Sequence, residues 1–218
     1  MEPRVPLVNI ATLERRTAPM QQRARDRIDL VLKATERLLA TTTVDTITTS
    51  SIAAEADVPV SSIYRYFPNV FAIYKELFET RVAQIHGRIA KILEDAQYTT
   101  WRERHLAVML VLRSTLSDDP IYRPLFHLML TTRELRIVKD QANAQIASYL
   151  ATRWEQGLDG FRGGTPLAVA RMATEIFTSF ETLTSGELQP ELTEQLFVEA
   201  TVALERYLSF YLTDDAAG

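Results

Sequence analysis

The chain of 218 residues contains no cysteine, only three histidines and only seven glycines. Without cysteine it can form neither disulfides nor thiolate metal sites, and a reducing compartment is permitted. His86, His105 and His127 fall on different predicted helices, and none has a histidine four residues away or an adjoining acidic cluster. Metal sites need several convergent ligands, so we expect neither a metal site nor a cofactor.

Motifs that signal catalysis are also missing. The sequence has no glycine-rich phosphate loop, no G-x-S-x-G and no His-Glu-x-x-His. Its acidic pairs, Glu94-Asp95, Asp118-Asp119 and Asp214-Asp215, are adjacent in sequence and do not point at one another on a helix. They fit solvation or helix capping better than acid–base chemistry, so an enzyme is not expected.

Long apolar runs are absent too. The longest fully apolar run, Leu106–Leu112, is far too short to span a membrane. Residues 1–20 mix charges and prolines, so no signal peptide is expected. We predict a mobile arm over residues 1–22, no membrane partner and a cytoplasmic location.

What the sequence does contain is helical periodicity. Apolar stripes at helical spacing recur along the chain, 46% of the residues are apolar, and no strand pattern is convincing. The patterns predict an all-α fold of about nine helices. Besides two short helices described below, they are predicted at Arg23–Ala40, Val70–Asp95, Trp101–Leu116, Asp119–Leu130, Arg133–Gln156, Thr165–Thr184 and Pro190–Leu212. Asp119 is expected to cap the helix that it begins.

The most informative segment, Ser50–Val70, predicts two short helices joined by a tight turn. Pro59 disfavours helix at the residue before it and suits the opening turn of a second helix, which we place at Pro59–Phe67. Ile63 and Phe67 are spaced i, i+4 and should face inward. Pro68 cannot continue the helix. Helix, turn and short exposed helix form a helix-turn-helix, whose second helix reads base edges in DNA.

The segment from about Arg23 to Glu79 resembles the N-terminal domain of the tetracycline-repressor (TetR) family. The resemblance is carried by Thr48, Ile52-Ala53, Val58 and Tyr64-Arg65-Tyr66-Phe67. Two positions where the family usually has glycine hold Thr43 and Asp57, and Asp tolerates the left-handed backbone angles of the turn. Val70 stands where the family often has a phosphate-contacting lysine.

The resemblance implies a three-helix DNA-binding domain over residues 23–69 and a larger effector-binding and dimerisation domain over residues 70–218. It further implies a homodimer formed through the last two helices. The expected function is a transcriptional regulator, usually a repressor, that binds a palindromic double-stranded DNA operator. A small hydrophobic or amphipathic ligand, bound between helices of the second domain, would release it.

Candidate DNA contacts cluster around the second helix of the motif. Tyr64 matches the family's phosphate-contacting tyrosine, and Arg65 could meet either a guanine edge or a phosphate. Hydroxyls near the start of the first helix could contact DNA or cap that helix. The residues assigned to this surface are Arg25, Thr49, Ser50, Val60, Ser61, Ser62, Tyr64, Arg65 and Tyr66.

Candidate ligand contacts are aromatic residues, methionines and one histidine on the predicted helices of the second domain. Such residues belong most often to the core, and a subset of them would line the family's cavity. The assigned set is His105, Met109, Phe126, Met129, Phe177 and Phe180.

Net charge is −4 for the whole chain, but residues 15–37 hold seven basic and three acidic residues, a local charge of +4. Phosphate binding depends on such a local patch rather than on the total. The patch is modest and Val70 removes one expected positive contact. The alternative interpretation is therefore a helical ligand-binding or protein-interaction dimer that has lost DNA binding.

Overall fold

A computed structural model describes residues 22–186 and 188–214. Over these residues the backbone forms nine α-helices and two short 3-10 turns, without a strand. The helices are α1 Gln22–Thr41, α2 Thr49–Glu55, α3 Val60–Tyr64, α4 Val70–Glu94, α5 Trp101–Asp118, α6 Tyr122–Thr131, α7 Arg136–Glu155, α8 Pro166–Leu183 and α9 Pro190–Ser209. The predicted all-α fold is confirmed. Residues 1–21 of the predicted arm lie outside the described residues, and Gln22 begins α1.

The head of the molecule, α1 to α3, is built on one apolar core. Val31 of α1, Ile52 of α2 and Ile63 and Phe67 around α3 are fully buried against one another. The first turns of α4 contribute Ile73 to the same core. The inward orientation predicted for Ile63 and Phe67 is therefore confirmed, and burying both side chains ties the short α3 to the longer α1.

The turn between α2 and α3 has the left-handed backbone that the sequence predicted. Asp57 has φ 51°, a conformation that favours glycine and is tolerated by aspartate. The turn is closed by a 3.0 Å hydrogen bond from the Val58 N–H to the Ala53 carbonyl. At the other end of α2, Thr48 and Ser51 form a reciprocal capping box, which confirms capping near Thr48.

The second helix of the motif is shorter than predicted. It begins at Val60, with Pro59 as its N-cap, and ends at Tyr64. The N–H groups of Tyr66 and Phe67 both donate to the Ile63 carbonyl, so the chain tightens into a turn after Tyr64. The reason is Pro68, which disfavours helical backbone at Phe67 and so brings the end of the helix forward.

The second domain begins with α4, which is continuous from the head, and is completed by α5 to α9. The helix α7 packs against α6 and α8, and α9 packs against α5 and α8. A second apolar core forms where α5, α7, α8 and α9 meet, around Met109, Trp154 and Phe180. The predicted boundaries hold within a few residues, except that α6 and α7 each begin three residues late.

The late start of α6 has a local cause. Asp119 was expected to cap this helix, but the N-cap is Ile121. Asp119 instead accepts hydrogen bonds from the Ile121 N–H through Oδ1 and from the Arg81 guanidinium through Oδ2. Its side chain therefore shapes the turn before α6 and binds α4. No helix in the described ranges is long and apolar enough to cross a membrane.

Candidate DNA-binding surface and ligand cavity

The side of α3 opposite the head's core is polar and open to solvent. Ser61 and Arg65 are exposed, and Tyr64 keeps 44% of its surface accessible. On the other side of the same short helix Ile63 is fully buried. The helix is thus anchored by one face and presents hydroxyl, phenol and guanidinium groups on the other, which are donors suited to phosphates and base edges.

A side-chain hydrogen bond joins the two helices of the motif. Thr49 Oγ1 and the Tyr64 hydroxyl lie 3.0 Å apart, linking the first residue of α2 to the last residue of α3. Ser50 is exposed beside Thr49. The contact holds the Tyr64 ring next to the N-terminus of α2, where backbone N–H groups and the helix dipole favour an anion.

Arg65 lies just after the end of α3, in the tightened turn. Its guanidinium carbon is 6.0 Å from the centre of the Tyr66 ring. That distance is at the limit of a cation–π contact, and at an exposed site the contact is weak. Arg65 is exposed, and its guanidinium lies beside the Tyr66 ring without being fixed there by a strong contact.

The nine residues assigned to DNA contact fall into three groups. Thr49, Ser50, Ser61, Tyr64 and Arg65 share the surface formed by α2 and α3. Arg25 is exposed on a different helix, α1. The remaining three are partly buried on the flanks, and of these Val60 and Tyr66 pack against the core: Val60, Ser62 and Tyr66. DNA contact stays a prediction for all nine.

One basic residue of the charged patch is already paired within the head. The Arg37 guanidinium donates to the Glu55 carboxylate from Nε at 2.5 Å and to the Glu55 carbonyl from Nη2 at 3.2 Å. This pair fixes the end of α2 to α1. It also removes part of the positive charge counted in residues 15–37, so less of that charge is available to phosphates.

A cavity of about 180 Å³ lies inside the second domain. Residues of α4, α5, α6, α7, α8 and α9 line it, and most are apolar. The apolar and aromatic part of the lining is Phe78, Val82, Ile85, Ile89, Leu93, Trp101, Val108, Met109, Leu112, Tyr122, Phe126, Ala142, Ile146, Leu150, Trp154, Ala173, Phe177, Leu204, Leu208 and Leu212. A lining of this kind suits an apolar or amphipathic small molecule.

The structure brings four of the six predicted ligand contacts to this cavity, namely His105, Met109, Phe126 and Phe177. The other two are not among the lining residues. Met129 is fully buried in the first core, and Phe180 packs edge-on against Phe197 in the second. Ligand contact by any of the six stays a prediction.

The cavity wall also carries a buried carboxyl that the sequence analysis did not select. Glu181 of α8 is 9% exposed and accepts a 2.7 Å hydrogen bond from the Tyr122 hydroxyl of α6. Burial raises the pKa of Glu181 to about 7, against the opposing effects of Tyr122 and of the nearby Lys139 ammonium. Burial, with the Glu181 charge, raises the Tyr122 pKa well above its usual value. The available signal was an acidic residue inside the apolar stripe of α8.

A second polar group closes another part of the cavity. Asp159 accepts hydrogen bonds from Arg153 Nε at 2.6 Å and from Arg104 Nη1 at 3.2 Å. Bonding to Asp159 raises the pKa of Arg153.

Two histidines also line the cavity. Burial lowers the pKa of His86 and of His105, so both lining imidazoles are neutral at neutral pH.

In residues 22–186 and 188–214 no three His, Asp or Glu side chains lie close enough together to hold a metal ion. Two carboxylates of the cavity wall, Glu181 and Asp159, instead accept hydrogen bonds from Tyr122 and from two arginines. The arrangement can orient a ligand by hydrogen bonds and charge.

Residues 31–77 match the model of the family described as bacterial regulatory proteins, tetR family. This range runs from α1 into α4 and contains the whole α2–α3 surface. This segment is a TetR-family DNA-binding domain. The match identifies a DNA-binding transcriptional regulator with a helix-turn-helix head.

Solved structures share the fold along most of the chain. The SmeT–triclosan complex is 21% identical with a TM-score of 0.68 and covers 87% of this chain and 93% of its own. SmeT, the repressor of the Stenotrophomonas maltophilia multidrug efflux pump SmeDEF, is 20% identical with a TM-score of 0.68. The match covers 88% of this chain and 94% of SmeT. A TetR-family regulator from Streptomyces coelicolor is 22% identical with a TM-score of 0.55. The match covers 85% of this chain and 99% of that protein. No curated protein matches the sequence.

Proposed function

We propose that the protein is a homodimeric repressor that leaves a palindromic operator when a small hydrophobic or amphipathic ligand enters the cavity. The observation that carries the proposal is the double role of α4. Its first turns bury Ile73 and Tyr74 in the core shared with the head, and its later turns line the cavity with Phe78, Val82 and Ile85. One helix therefore contacts both the DNA-reading unit and the ligand space.

The mechanism is a population shift. The ligand-free dimer holds its two α3 helices at the spacing of one DNA turn, about 34–36 Å. A ligand that binds more tightly to a form with a different α4 angle draws the dimer into that form, and the spacing is lost. The ligand acts only through its difference in affinity between the two forms.

Dimerisation through α8 and α9 is supported by exposed apolar residues. Met172 and Leu183 of α8 are 52% and 60% exposed, and Val198 of α9 is 49% exposed. The two helices pack against each other, and exposed apolar side chains on such a pair favour an interaction surface. A two-fold dimer would also double the few bases that a short reading helix can contact.

A DNA partner implies a cytoplasmic location.

The similar protein SmeT supports the ligand part of the proposal. Its complex with triclosan shows that a protein of this fold holds a small apolar molecule, and SmeT is a repressor. For the present chain we propose a ligand of comparable size, to be accommodated in the apolar cavity between α4 and α8.

A selection from random DNA duplexes by mobility shift at low salt tests the function. We expect enrichment of a palindromic sequence whose half-sites lie one turn apart. Tyr64→Phe and Arg65→Ala should weaken binding. Arg133→Ala removes the same charge as Arg65→Ala from an exposed site between α6 and α7, and it should leave binding unchanged. If no duplex is enriched, the alternative of a ligand-binding dimer without DNA affinity replaces this proposal.

The oligomeric state is measured separately by sedimentation. Val198→Asp should convert the dimer to a monomer with unchanged helix content, because a charge would be buried at the interface. Leu30→Asp is the matched control, since Leu30 is similarly exposed but lies in the head. A wild-type monomer, or a dimer that tolerates Val198→Asp, would contradict the proposed interface.

A further inference from the structure

The Glu181 carboxyl is placed to bind a ligand. It lines the cavity, yet it is only 9% exposed, so its environment is largely apolar. Its one hydrogen bond to another described residue comes from the Tyr122 hydroxyl, at 2.7 Å to Oε1. The lone pairs of the other oxygen, Oε2, therefore remain available to a group inside the cavity.

The cationic side chains of the cavity wall have carboxylate partners other than Glu181. Lys139 of α7 lies 3.0 Å from Asp140, and Arg104 of α5 lies 3.2 Å from Asp159. Lys139 acts on Glu181 through its field and makes no ion pair with it among the described residues. Among the carboxylates that line the cavity, Asp159 is bound by two arginines, whereas Glu181 makes no ion pair with another described residue.

A carboxylate in apolar surroundings is costly unless a cation accompanies it. This cost is expressed in the Glu181 pKa, which burial raises to about 7, so the ligand-free protein holds this group partly protonated near neutral pH. Tyr122 of α6 and the neutral His86 and His105 of α4 and α5 supply no positive charge. An incoming cation would supply it and favour the ionised carboxylate.

We propose that the cavity takes an amphipathic organic cation, whose ammonium group pairs with Glu181 while its apolar part lies against the aromatic and aliphatic wall. This assignment rests on the proposed function and narrows its ligand to one chemical class. Tyr122 is a positioning residue, because its hydroxyl fixes the carboxyl through Oε1 and directs Oε2 to the ligand.

The chain offers an internal probe of this site. Its only two tryptophans, Trp101 and Trp154, both line the cavity. Binding can therefore be followed by tryptophan fluorescence of the full-length protein, titrated at pH 8 with three probes of equal chain length, namely octylammonium, 1-octanol and octanoate. We expect octylammonium to bind about tenfold or more tightly than the other two, as a charge-assisted hydrogen bond predicts.

The decisive variant is Glu181→Gln, which keeps the shape of the side chain and removes its charge. It should bind 1-octanol as the wild type does and lose the preference for octylammonium. In the wild type, octylammonium affinity should also fall as the pH is lowered from 8 to 6, while 1-octanol affinity stays constant, because protonated Glu181 cannot pair with the cation. This pH comparison needs no variant and decides the question if Glu181→Gln does not fold.

Several outcomes would overturn the assignment. These are a preference for octanoate, equal binding of the three probes, a cation preference that survives Glu181→Gln, and binding of none of them. The duplex selection is run on protein without any probe. If the protein enriches a duplex but shows no cation preference, the proposed function stands and the assignment of a cationic ligand is rejected. If it prefers octylammonium but enriches no duplex, the DNA-binding function is rejected and the cation site stands.

Discussion

The Arg81 guanidinium lies 3.0 Å from the Glu36 carboxylate, and this ion pair joins α4 to α1 of the DNA-binding head. The same guanidinium donates from Nε to Asp119 at 2.7 Å, just before α6. Three residues farther on, Tyr122 binds Glu181 on the cavity wall. A head helix and the cavity are therefore connected through Arg81, whose side chain is only 15% exposed.

Arg81→Met should weaken the attachment of the head to the second domain. Two partly buried carboxylates, Glu36 and Asp119, would lose their common cation. We expect the free energy of unfolding in urea to fall by about 1 to 2 kcal/mol at low salt. The release of DNA by a cavity ligand should also become less complete, because a contact between ligand domain and head is gone.

The matched control for this prediction is Arg88→Met on the same helix. Arg88 is exposed and donates to the Thr115 hydroxyl at 3.3 Å, so its removal should change the unfolding free energy by less than about 0.5 kcal/mol. Equal losses in the two variants would show that Arg81 has no special role in attaching the head.

Tyr64 and Arg65 should affect DNA binding in different ways. A phenol hydroxyl that donates to a phosphate contributes equally on every sequence, so Tyr64→Phe should cost about 1 kcal/mol across all operator variants. If Arg65 reads a guanine edge, Arg65→Ala should cost about 1 to 3 kcal/mol on the best operator and relax selectivity at one base pair. Binding assays on operator variants at fixed salt measure both, and identical selectivity profiles would refute the division.

Glu181 should make the protein less stable as the pH rises. Its folded pKa of about 7 lies above the ordinary value of 4.5, so the folded state holds more protons between these values. The free energy of unfolding must then fall with increasing pH across that window, by about 2 kcal/mol between pH 5 and pH 8. The Glu181→Gln variant should lack this pH dependence. It is measured as the difference between the free energies of unfolding of the two proteins in urea at each pH. A difference that is independent of pH would contradict the raised pKa.

Asp57→Gly should stabilise the head. Asp57 has φ 51°, where a side chain is disfavoured and glycine is not. We expect a gain of about 0.5 to 1 kcal/mol in the free energy of unfolding. Ala56→Gly is the control, because Ala56 has φ −84° and the exchange there should destabilise by a similar amount. Destabilisation by Asp57→Gly would mean that the carboxylate has a stabilising role in this turn.

The helix-turn-helix could be predicted closely because its determinants are local. Pro59, Pro68 and the i, i+4 pair Ile63 and Phe67 set the start, the end and the buried face of α3 within a few residues. The error at its end came from the tightened turn before Pro68, which places Arg65 and Tyr66 outside the helix. The Asp119 cap was wrong for a different reason, since a distant arginine binds that carboxylate.

The sequence by itself determined the all-α fold, the family of the head and its helix-turn-helix, because helical periodicity, proline and capping residues act over a few positions. Only the tertiary structure decided which side chains line the cavity, that Met129 and Phe180 lie in the cores, and that Glu181 meets Tyr122 across 59 positions of the chain. Burial and pairing of that kind depend on how whole helices pack, and one apolar stripe looks the same whether it faces a core or a cavity.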